Sequence, residues 1–182
     1  MRTRSVATRF LIASIALAVA ACGPAEAVVT ELTGVQAAVM TAASEVGAPV
    51  GTAGFDWGVL DMEHTPLDLM DLVHMMQAVA GTPMVPLVRV PWNDKVTIKR
   101  VLDAGATTLL VPFVQNADEA ARAVAAARYP PEGVRGMAGM SRASRYGTTR
   151  DHLRSANETV GVVVQLETPA AVARLEEIAA GD

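Results

Sequence analysis

The stretch GVLDMEHTP, residues 58–66, decides the fold. Its apolar start is rich in strand-forming residues and predicts a short buried β-strand. It ends in three ionisable side chains, Asp61, Glu63 and His64. The Thr65-Pro66 pair then predicts the start of a helix, because threonine is a good N-cap and proline suits the first helical position. The stretch therefore predicts a strand that ends at a charged edge and leads directly into a helix.

The same strand-then-helix unit recurs three times downstream. Strand-like apolar runs occupy residues 84–90, 108–114 and 161–167. The helix starts that follow them are Asn93 or Asp94, then Asn116 with Glu119 as a capping box, then Thr168-Pro169. Alternation of this kind predicts an α/β fold with a parallel sheet, either a (β/α) barrel or an open doubly wound sheet. No glycine-rich phosphate-binding motif follows a strand, which weakens the interpretation as a dinucleotide-binding domain.

Composition excludes several classes of protein. The chain has 182 residues, is 51% hydrophobic and carries a net charge of −4, with no long run of basic residues. These values fit one domain with a sizeable core and give no reason to expect nucleic acid as a partner. The single cysteine, Cys22, excludes an internal disulfide framework and a cysteine-based zinc cluster.

The N-terminus has the pattern of an export signal. Arginines precede an uncharged stretch, residues 10–21, whose length suits the core of a signal peptide. Cys22 follows VAA and resembles the lipid-modified cysteine of a bacterial lipoprotein, whereas AEA at residues 25–27 is an alternative cleavage site. There are two other interpretations of this segment. It is a first helix packed on the domain, or an upstream sequence fused to, or misread ahead of, a cytoplasmic domain.

These patterns divide the chain into three parts. Residues 1–27 are predicted to be the signal-like segment, and residues 28–53 a poorly defined linker with a helix around 35–46. Residues 54–182 are predicted to form the α/β domain. The long segment 128–150 between the third helix and the fourth strand is rich in glycine, proline and arginine. A loop of that length inside a domain is usually functional.

Polar side chains cluster where the predicted strands end. Strand residues two apart share a face, so Asp61 and Glu63 point the same way, as do Gln165 and Glu167, and Arg89 ends the second strand. The carboxyl ends of parallel strands meet at one edge, which predicts a common site. Each residue also has a structural interpretation, because a carboxylate before a helix favours its dipole and an arginine can serve an ion pair.

Enolate chemistry on a small oxo-acid fits these residue types. A hard divalent cation prefers oxygen ligands such as Glu167 and lowers the energy of an enolate. Arg89 can stabilise developing charge on oxygen, and His64 can move a proton near neutral pH.

Six segments of the chain are specific enough to compare with known families: GFDWGVLDMEHTPLDL, PLVRVPWND, IKRVLDAGATTLLVPFVQNADEA, RYPPEGVRG, SRASRYG and VVVQLET. Together they closely resemble the HpcH/HpaI-type aldolases. The resemblance implies a partial TIM (β/α)₈ barrel of the phosphoenolpyruvate/pyruvate type that assembles as a homo-hexamer. It implies a metal-dependent lyase that reversibly cleaves a 4-hydroxy-2-oxo acid to pyruvate and an aldehyde, with Mg²⁺, Mn²⁺ or Co²⁺ as cofactor, and a cytoplasmic location.

The resemblance also implies a role for individual residues. His64 resembles the family's catalytic histidine and Asp103 its aspartate partner, while Arg89 resembles the arginine that binds pyruvate. Glu167 resembles a metal ligand. Residues expected to line or support the site are Gln165, Ser144, Asp61 and Glu63.

The chain departs from the family pattern at both ends. The family's second metal carboxylate lies in a later GPxDL motif, and its first strand is not recognisable ahead of residue 54. We therefore expect a domain truncated at both ends, holding about half of a barrel and part of the metal site. The alternatives are a catalytically impaired fragment of such an aldolase and an exported, non-catalytic binding protein.

Overall fold

The computed structural model describes residues 51–180 and, before them, only the backbone of three short strands. These strands are β1 (Leu17–Ala20), β2 (Val28–Val29) and β3 (Ala37–Met40). Most of the predicted signal-like segment, including Cys22 and its proposed lipid anchor, lies outside the described residues. Within them, no helix is both long and apolar enough to cross a membrane.

The described domain is a succession of β/α units. Its strands are β4 (Trp57–Asp61), β5 (Val85–Arg89), β6 (Thr108–Val111) and β7 (Gly161–Gln165). Its helices are α1 (Leu69–Val79), α2 (Lys95–Asp103), α3 (Ala117–Ala127), α4 (His152–Thr159), α5 (Pro169–Val172) and α6 (Leu175–Ala179). All four predicted strands are present, and the α/β class is confirmed.

The order of the strands distinguishes between the two predicted architectures. The sheet of the described residues runs β2-β1-β7-β6-β5-β4-β3, and the strands from β3 to β7 are parallel neighbours in chain order. A doubly wound sheet reverses direction at a switch point, whereas a (β/α) barrel adds each strand beside the previous one. The fold is therefore singly wound, as in part of a TIM barrel. Strand β1 pairs with β7 in the antiparallel sense.

The predicted helix around residues 35–46 is wrong at its centre. Ala37–Met40 is strand β3, which pairs in parallel with β4 from Ala37 opposite Trp57 to Met40 opposite Leu60. The weak helical periodicity there gives way to pairing with the free edge of β4, where tertiary context decides. The sheet therefore begins before the predicted domain start at residue 54.

The helix after β4 also begins later than predicted. Asp68, and not Thr65, is the N-cap of α1, and its side chain accepts hydrogen bonds from the Met70 and Asp71 amides. The Asp71 side chain completes a capping box. The hydroxyl of Thr65 instead donates to the carbonyl of Asp61 and closes the turn below the strand end.

The remaining helix starts are confirmed. Asp94, Asn116 and Thr168 are the N-caps of α2, α3 and α5, each with a side-chain oxygen bonded to a first-turn amide. Glu119 differs in one detail from a capping box, because its carboxylate accepts from the Gln115 amide at 2.8 Å. Each unit therefore passes from strand to helix through a rigid, hydrogen-bonded turn.

The two faces of the sheet bury different side chains. The face toward the helices carries the main core, in which Leu60, Val88 and Leu109 are fully or almost fully buried. The opposite face carries a small cluster of Val59, Leu110 and Val163. Because strand residues alternate, each strand continues this small cluster with every second residue toward its carboxyl end. In a β/α fold the functional site is expected at the carboxyl ends of the strands, where the face with the small cluster ends.

The long segment 128–150 forms no regular helix or strand but is anchored at its start. Asn157 in α4 accepts from the Tyr129 amide at 2.7 Å and donates to the Tyr129 carbonyl at 3.0 Å. Both residues are buried. A side-chain amide thus replaces the backbone pairing that a strand would give.

Replacement of Asn157 by alanine is expected to lower the free energy of unfolding by about 2 kcal/mol, because a buried amide and a buried carbonyl lose their partner. Urea denaturation followed by circular dichroism measures the change. Ser155→Ala, on the exposed side of the same helix, is the control and should change stability by less than about 0.5 kcal/mol. Equal effects of the two substitutions would contradict this role of Asn157.

Candidate functional site

The ends of β4, β5 and β7 bring three polar side chains onto one face. Asp61, Arg89 and Gln165 follow Val59, Leu87 and Val163, the side chains that form or flank the small apolar cluster. Asp61 lies directly opposite Arg89 in the register of the two strands. We call this edge the carboxyl-end rim and define it by Asp61, Glu63, Arg89, Gln165 and Glu167.

Asp61 and Arg89 form a two-pronged ion pair at the centre of the rim. Arg89 Nε donates to Asp61 Oδ1 at 2.9 Å, and Arg89 Nη2 donates to Asp61 Oδ2 at 2.6 Å. Asp61 Oδ1 also accepts from the Glu63 amide at 3.0 Å. Both atoms of the carboxylate are therefore engaged, and the planar guanidinium is held in one orientation.

The environment of Asp61 favours its charged form. Burial by itself raises the pKa of this carboxyl group, but the hydrogen bond from Arg89, the amide of Glu63 and the charge of Arg89 outweigh burial. The net pKa of Asp61 is lowered from its ordinary value of 3.8. Asp61 thus remains a carboxylate and Arg89 a cation over the physiological range.

Glu63 lies between Arg89 and His64. Its Oε2 atom is 3.3 Å from Arg89 Nη1 and 3.6 Å from His64 Nε2. Burial raises the pKa of Glu63, as do the charges of Glu167 and Asp61, against the opposing effect of Arg89 and His64. The His64 side chain is 71% exposed, so its ring is accessible to a substrate at the rim.

Glu167 completes the rim from the end of β7. Its Oε2 atom accepts from the Phe113 amide at 2.9 Å, a contact that fixes the carboxylate against the end of β6. Its charge acts on both Glu63 and Arg89. At the rim, the negative charges of Glu63 and Glu167 therefore repel each other, and both attract the guanidinium of Arg89.

Two buried oxygen atoms at the rim lack hydrogen-bond donors. They are Glu63 Oε2, whose contact with Arg89 is an ion pair without hydrogen-bond geometry, and Gln165 Oε1. Buried acceptors without a partner are rare and point to a ligand. Together with Glu167 they form an oxygen-only donor set, which suits a hard divalent cation. Within the described residues no cluster of three histidine, cysteine or acidic side chains is arranged to hold a metal ion, and one of the three oxygens named here belongs to an amide.

Asp103, predicted as the aspartate partner of His64, does not lie at the rim of its own chain, and its pairing with His64 stays a prediction. It is the last residue of α2, and its Oδ1 atom accepts from Arg135 Nη2 at 2.7 Å. In a β/α unit the helix runs back toward the start of the next strand, so the end of α2 lies at the edge opposite the rim. Within a single chain Asp103 therefore binds the long loop.

Ser144 is also away from the rim. Its hydroxyl donates to the Gly139 carbonyl at 3.0 Å and accepts from the Gly147 amide at 3.0 Å. The adjacent Ala143 amide bonds to the Asp103 carbonyl, which places this part of the loop beside the end of α2. Within the chain the Ser144 hydroxyl folds the loop, and the role of Ser144 in shaping a substrate site stays a prediction.

One feature of the rim was not predicted from the sequence. The rings of Trp92 and Phe113 stack with centroids 5.8 Å apart, although both side chains are largely exposed. Each residue follows a Val-Pro pair just beyond its strand, in RVPW and LVPF. The sequence signal that could have revealed this aromatic pair is the repeated position, in which an aromatic residue lies two places after a buried valine.

These observations define a singly wound β/α protein with an exposed histidine, an arginine and carboxylate and amide oxygens at the carboxyl ends of its strands. The chain belongs to the HpcH/HpaI aldolase/citrate lyase family, whose model matches residues 37–182. The match starts at the beginning of β3, which agrees with the corrected start of the sheet.

Relatives of known activity share much of the sequence. The chain is 50% identical over 141 residues to the 2-dehydro-3,6-dideoxy-6-sulfogluconate aldolase of Pseudomonas putida, covering 78% of this chain and 55% of the relative. It is 47% identical over 141 residues to the hydroxypyruvate/pyruvate aldolase of Sagittula stellata, covering 78% of this chain and 56% of that enzyme. The chain thus spans about half the length of these curated relatives.

A solved structure shares the fold. A HpcH/HpaI aldolase/citrate lyase family protein from Burkholderia cenocepacia superposes with a TM-score of 0.78 and 40% sequence identity, covering 80% of this chain and 60% of that one. The described β/α units are therefore arranged as in that relative.

Proposed function

We propose that this protein is a lyase that reversibly cleaves a 4-hydroxy-2-oxo acid to pyruvate and an aldehyde. The observation that carries the proposal is the rim itself, where a fixed arginine, an accessible histidine and two acidic groups meet. The relatives named as aldolases, one of them a hydroxypyruvate/pyruvate aldolase, support the same reaction class.

Arg89 is proposed to bind the oxo-acid end of the substrate. Its Nε and Nη2 atoms are engaged by Asp61, while Nη1 points toward Glu63 at a longer distance. This orientation leaves a donor directed at the rim, where negative charge develops on the oxygen of the pyruvate enolate. A donor held in place before the reaction stabilises that charge without reorganisation.

His64 is proposed to move the proton. In cleavage, the C4 hydroxyl of the substrate gives up its proton, the C3–C4 bond breaks, and its electron pair forms the enolate. Protonation of C3 then gives pyruvate, while C4 becomes the aldehyde carbonyl. The exposed ring of His64 and its contact with Glu63 suit this role, since a neighbouring carboxylate orients an imidazole.

The rim also fits the divalent cation that the family resemblance implies. Glu167 would hold it, with the oxygens of Glu63 and Gln165 that accept no hydrogen bond on the same face. When bound, a cation such as Mg²⁺, Mn²⁺ or Co²⁺ offsets the negative charge of an enolate oxygen. The repulsion between Glu63 and Glu167 gives the site an affinity for positive charge.

Asp103 enters this proposal only through an assembly. It lies at the opposite edge of its own chain from His64, so a pairing between the two requires a second copy. A homo-oligomer, which the resemblance implies, is therefore part of the proposal. Size-exclusion chromatography with light scattering tests it, and a strictly monomeric active protein would remove Asp103 from the reaction.

The proposed function is tested by two activities measured on the same protein. With Mn²⁺ or Mg²⁺ present, we expect pyruvate release from 4-hydroxy-2-oxoheptanedioate and exchange of the pyruvate methyl protons with D₂O, followed by NMR. Both should stop when EDTA is added. A folded protein, verified by circular dichroism, that shows neither activity with any of the three cations would contradict the function.

Glu167→Gln is expected to weaken Mn²⁺ binding at least about tenfold, because the substitution removes a charged oxygen ligand but keeps its shape. The amide oxygen can still accept from the Phe113 amide, so the fold should persist. Titration of Mn²⁺ followed by electron paramagnetic resonance measures the change. Glu177→Gln, exposed on α6, is the matched control. Equal Mn²⁺ affinity in the two variants would show that Glu167 is not a ligand.

A further inference from the structure

Two exposed aromatic side chains stand beside the rim. Trp92 is 56% exposed and Phe113 is 44% exposed, yet their rings stack at 5.8 Å with an angle of 27° between them. Aromatic rings contribute most when they are buried, so a stacked pair left open to solvent indicates a surface that contacts something else.

The position of the pair is fixed by the residues of the site. The Phe113 amide donates to Glu167, so the phenyl ring belongs to the residue that holds the proposed cation ligand. Phe113 has φ of 56°, a left-handed conformation that is costly for a bulky side chain. Trp92 lies three residues beyond Arg89, and its carbonyl accepts from the Asp94 amide in the tight turn before α2. The strained backbone thus presents the pair at the rim.

We propose that Trp92 and Phe113 form an apolar wall that binds the aldehyde part of the substrate and determines which aldehydes are accepted. This inference rests on the proposed function. Arg89 and the oxygen ligands are proposed to bind the oxo-acid part, which carries a polar group at every carbon except C3. The new C–C bond joins the enolate C3 to the aldehyde carbonyl carbon, whose oxygen takes up a proton, so the rest of the aldehyde must extend away from Arg89.

The chemistry of the wall indicates the class of aldehyde. Flat aromatic faces pack well against aromatic rings and hydrocarbon chains and gain little from a molecule without a carbon body. The wall carries no charged group, and the arginine nearest to it in the chain is already paired with Asp61. Aldehydes with an aromatic or extended apolar body should therefore be favoured over formaldehyde.

The experiment compares benzaldehyde with formaldehyde as acceptors for pyruvate, using kcat/KM of aldol addition. Trp92→Ala should lower the benzaldehyde-to-formaldehyde ratio by about tenfold, the range expected when an apolar contact is lost. Exchange of the pyruvate methyl protons, which needs no aldehyde, should stay within about twofold of wild type. Trp92→Phe should recover most of the ratio because it retains an aromatic face.

Tyr146→Ala is the matched control, because Tyr146 is an exposed aromatic residue on the loop beside the end of α2. It should leave the ratio unchanged. The wall is overturned if Trp92→Ala lowers both aldehydes equally, or if it alters the oligomeric mass while the ratio stays constant. Absence of proton exchange in the wild-type protein would instead overturn the proposed function and the wall with it, so the two failures are distinguishable.

Discussion

Replacement of His64 by alanine is expected to lower the rate of cation-dependent pyruvate methyl-proton exchange by about 10²–10⁴-fold, the usual contribution of a positioned acid–base group. His64 follows the strand end directly, its ring is exposed to the rim, and Glu63 lies 3.6 Å from Nε2. The substitution removes the proposed proton carrier while leaving the Asp61–Arg89 pair untouched, so binding of pyruvate should change less than its exchange.

The control is His74→Ala, which removes an exposed histidine from α1. It should retain wild-type exchange. Thermal unfolding of both variants checks that the loss does not come from the fold. If His64→Ala exchanges protons at the wild-type rate with cation present, another group carries the proton and the assignment of His64 is wrong.

The strands were predictable because their sequences are nearly continuous apolar runs. A parallel strand covered on both faces has no polar positions until its end, so β4, β5, β6 and β7 are recognisable without any tertiary information. Three helix starts were also correct, because a capping side chain is a local interaction. The caps at Asp94, Asn116 and Thr168 each bond to an amide two or three residues away.

The errors arose where contacts with β4 decide the structure of a neighbouring segment. Residues 37–40 became a strand through pairing with β4, which no local periodicity reveals. Thr65 does not cap α1, because its hydroxyl donates to the Asp61 carbonyl. Asp68, three residues further along the chain, is the N-cap instead. In both cases a contact with β4 overrode the intrinsic preference of the segment.

The part of the site that could be predicted depends on two features of the sequence. One is the alternation of side chains along a strand, and the other is the position at which each strand ends. Asp61, Arg89 and Gln165 share a face for that reason, and the structure brings them to one rim with Glu63 and Glu167. The roles of Asp103 and Ser144 were predicted from the family resemblance, and not from the strand ends. A helix end and a loop packed beneath it lie at the opposite edge of a β/α fold, so the topology itself argues against their presence at the rim of the same chain.

Asp61→Asn is expected to lower the free energy of unfolding at pH 7 by about 3 kcal/mol. Asp61 is 2% exposed and pairs through both carboxylate oxygens with Arg89, whose side chain is 17% exposed. Asp61→Asn leaves the guanidinium of Arg89 without its nearest counter-charge. Loss of one partner of a buried ion pair costs about 3–5 kcal/mol of stability. Glu63, which remains 3.3 Å from Arg89 Nη1, should keep the loss at the lower end.

The pH dependence of this loss identifies the ion pair as its cause. The pKa of Asp61 is lowered in the folded state, so its contribution is fully present above its ordinary value of 3.8 and is lost as pH falls from there through the folded-state pKa. Urea denaturation at pH 7 and at pH 3 should therefore show a large difference between wild type and Asp61→Asn at pH 7 and a smaller one at pH 3. Glu177→Gln, exposed on α6 and remote from the rim, is the control and should change stability little at either pH. A loss from Asp61→Asn that is the same at both pH values would mean that packing at the strand end, and not the charge on Asp61, stabilises the rim.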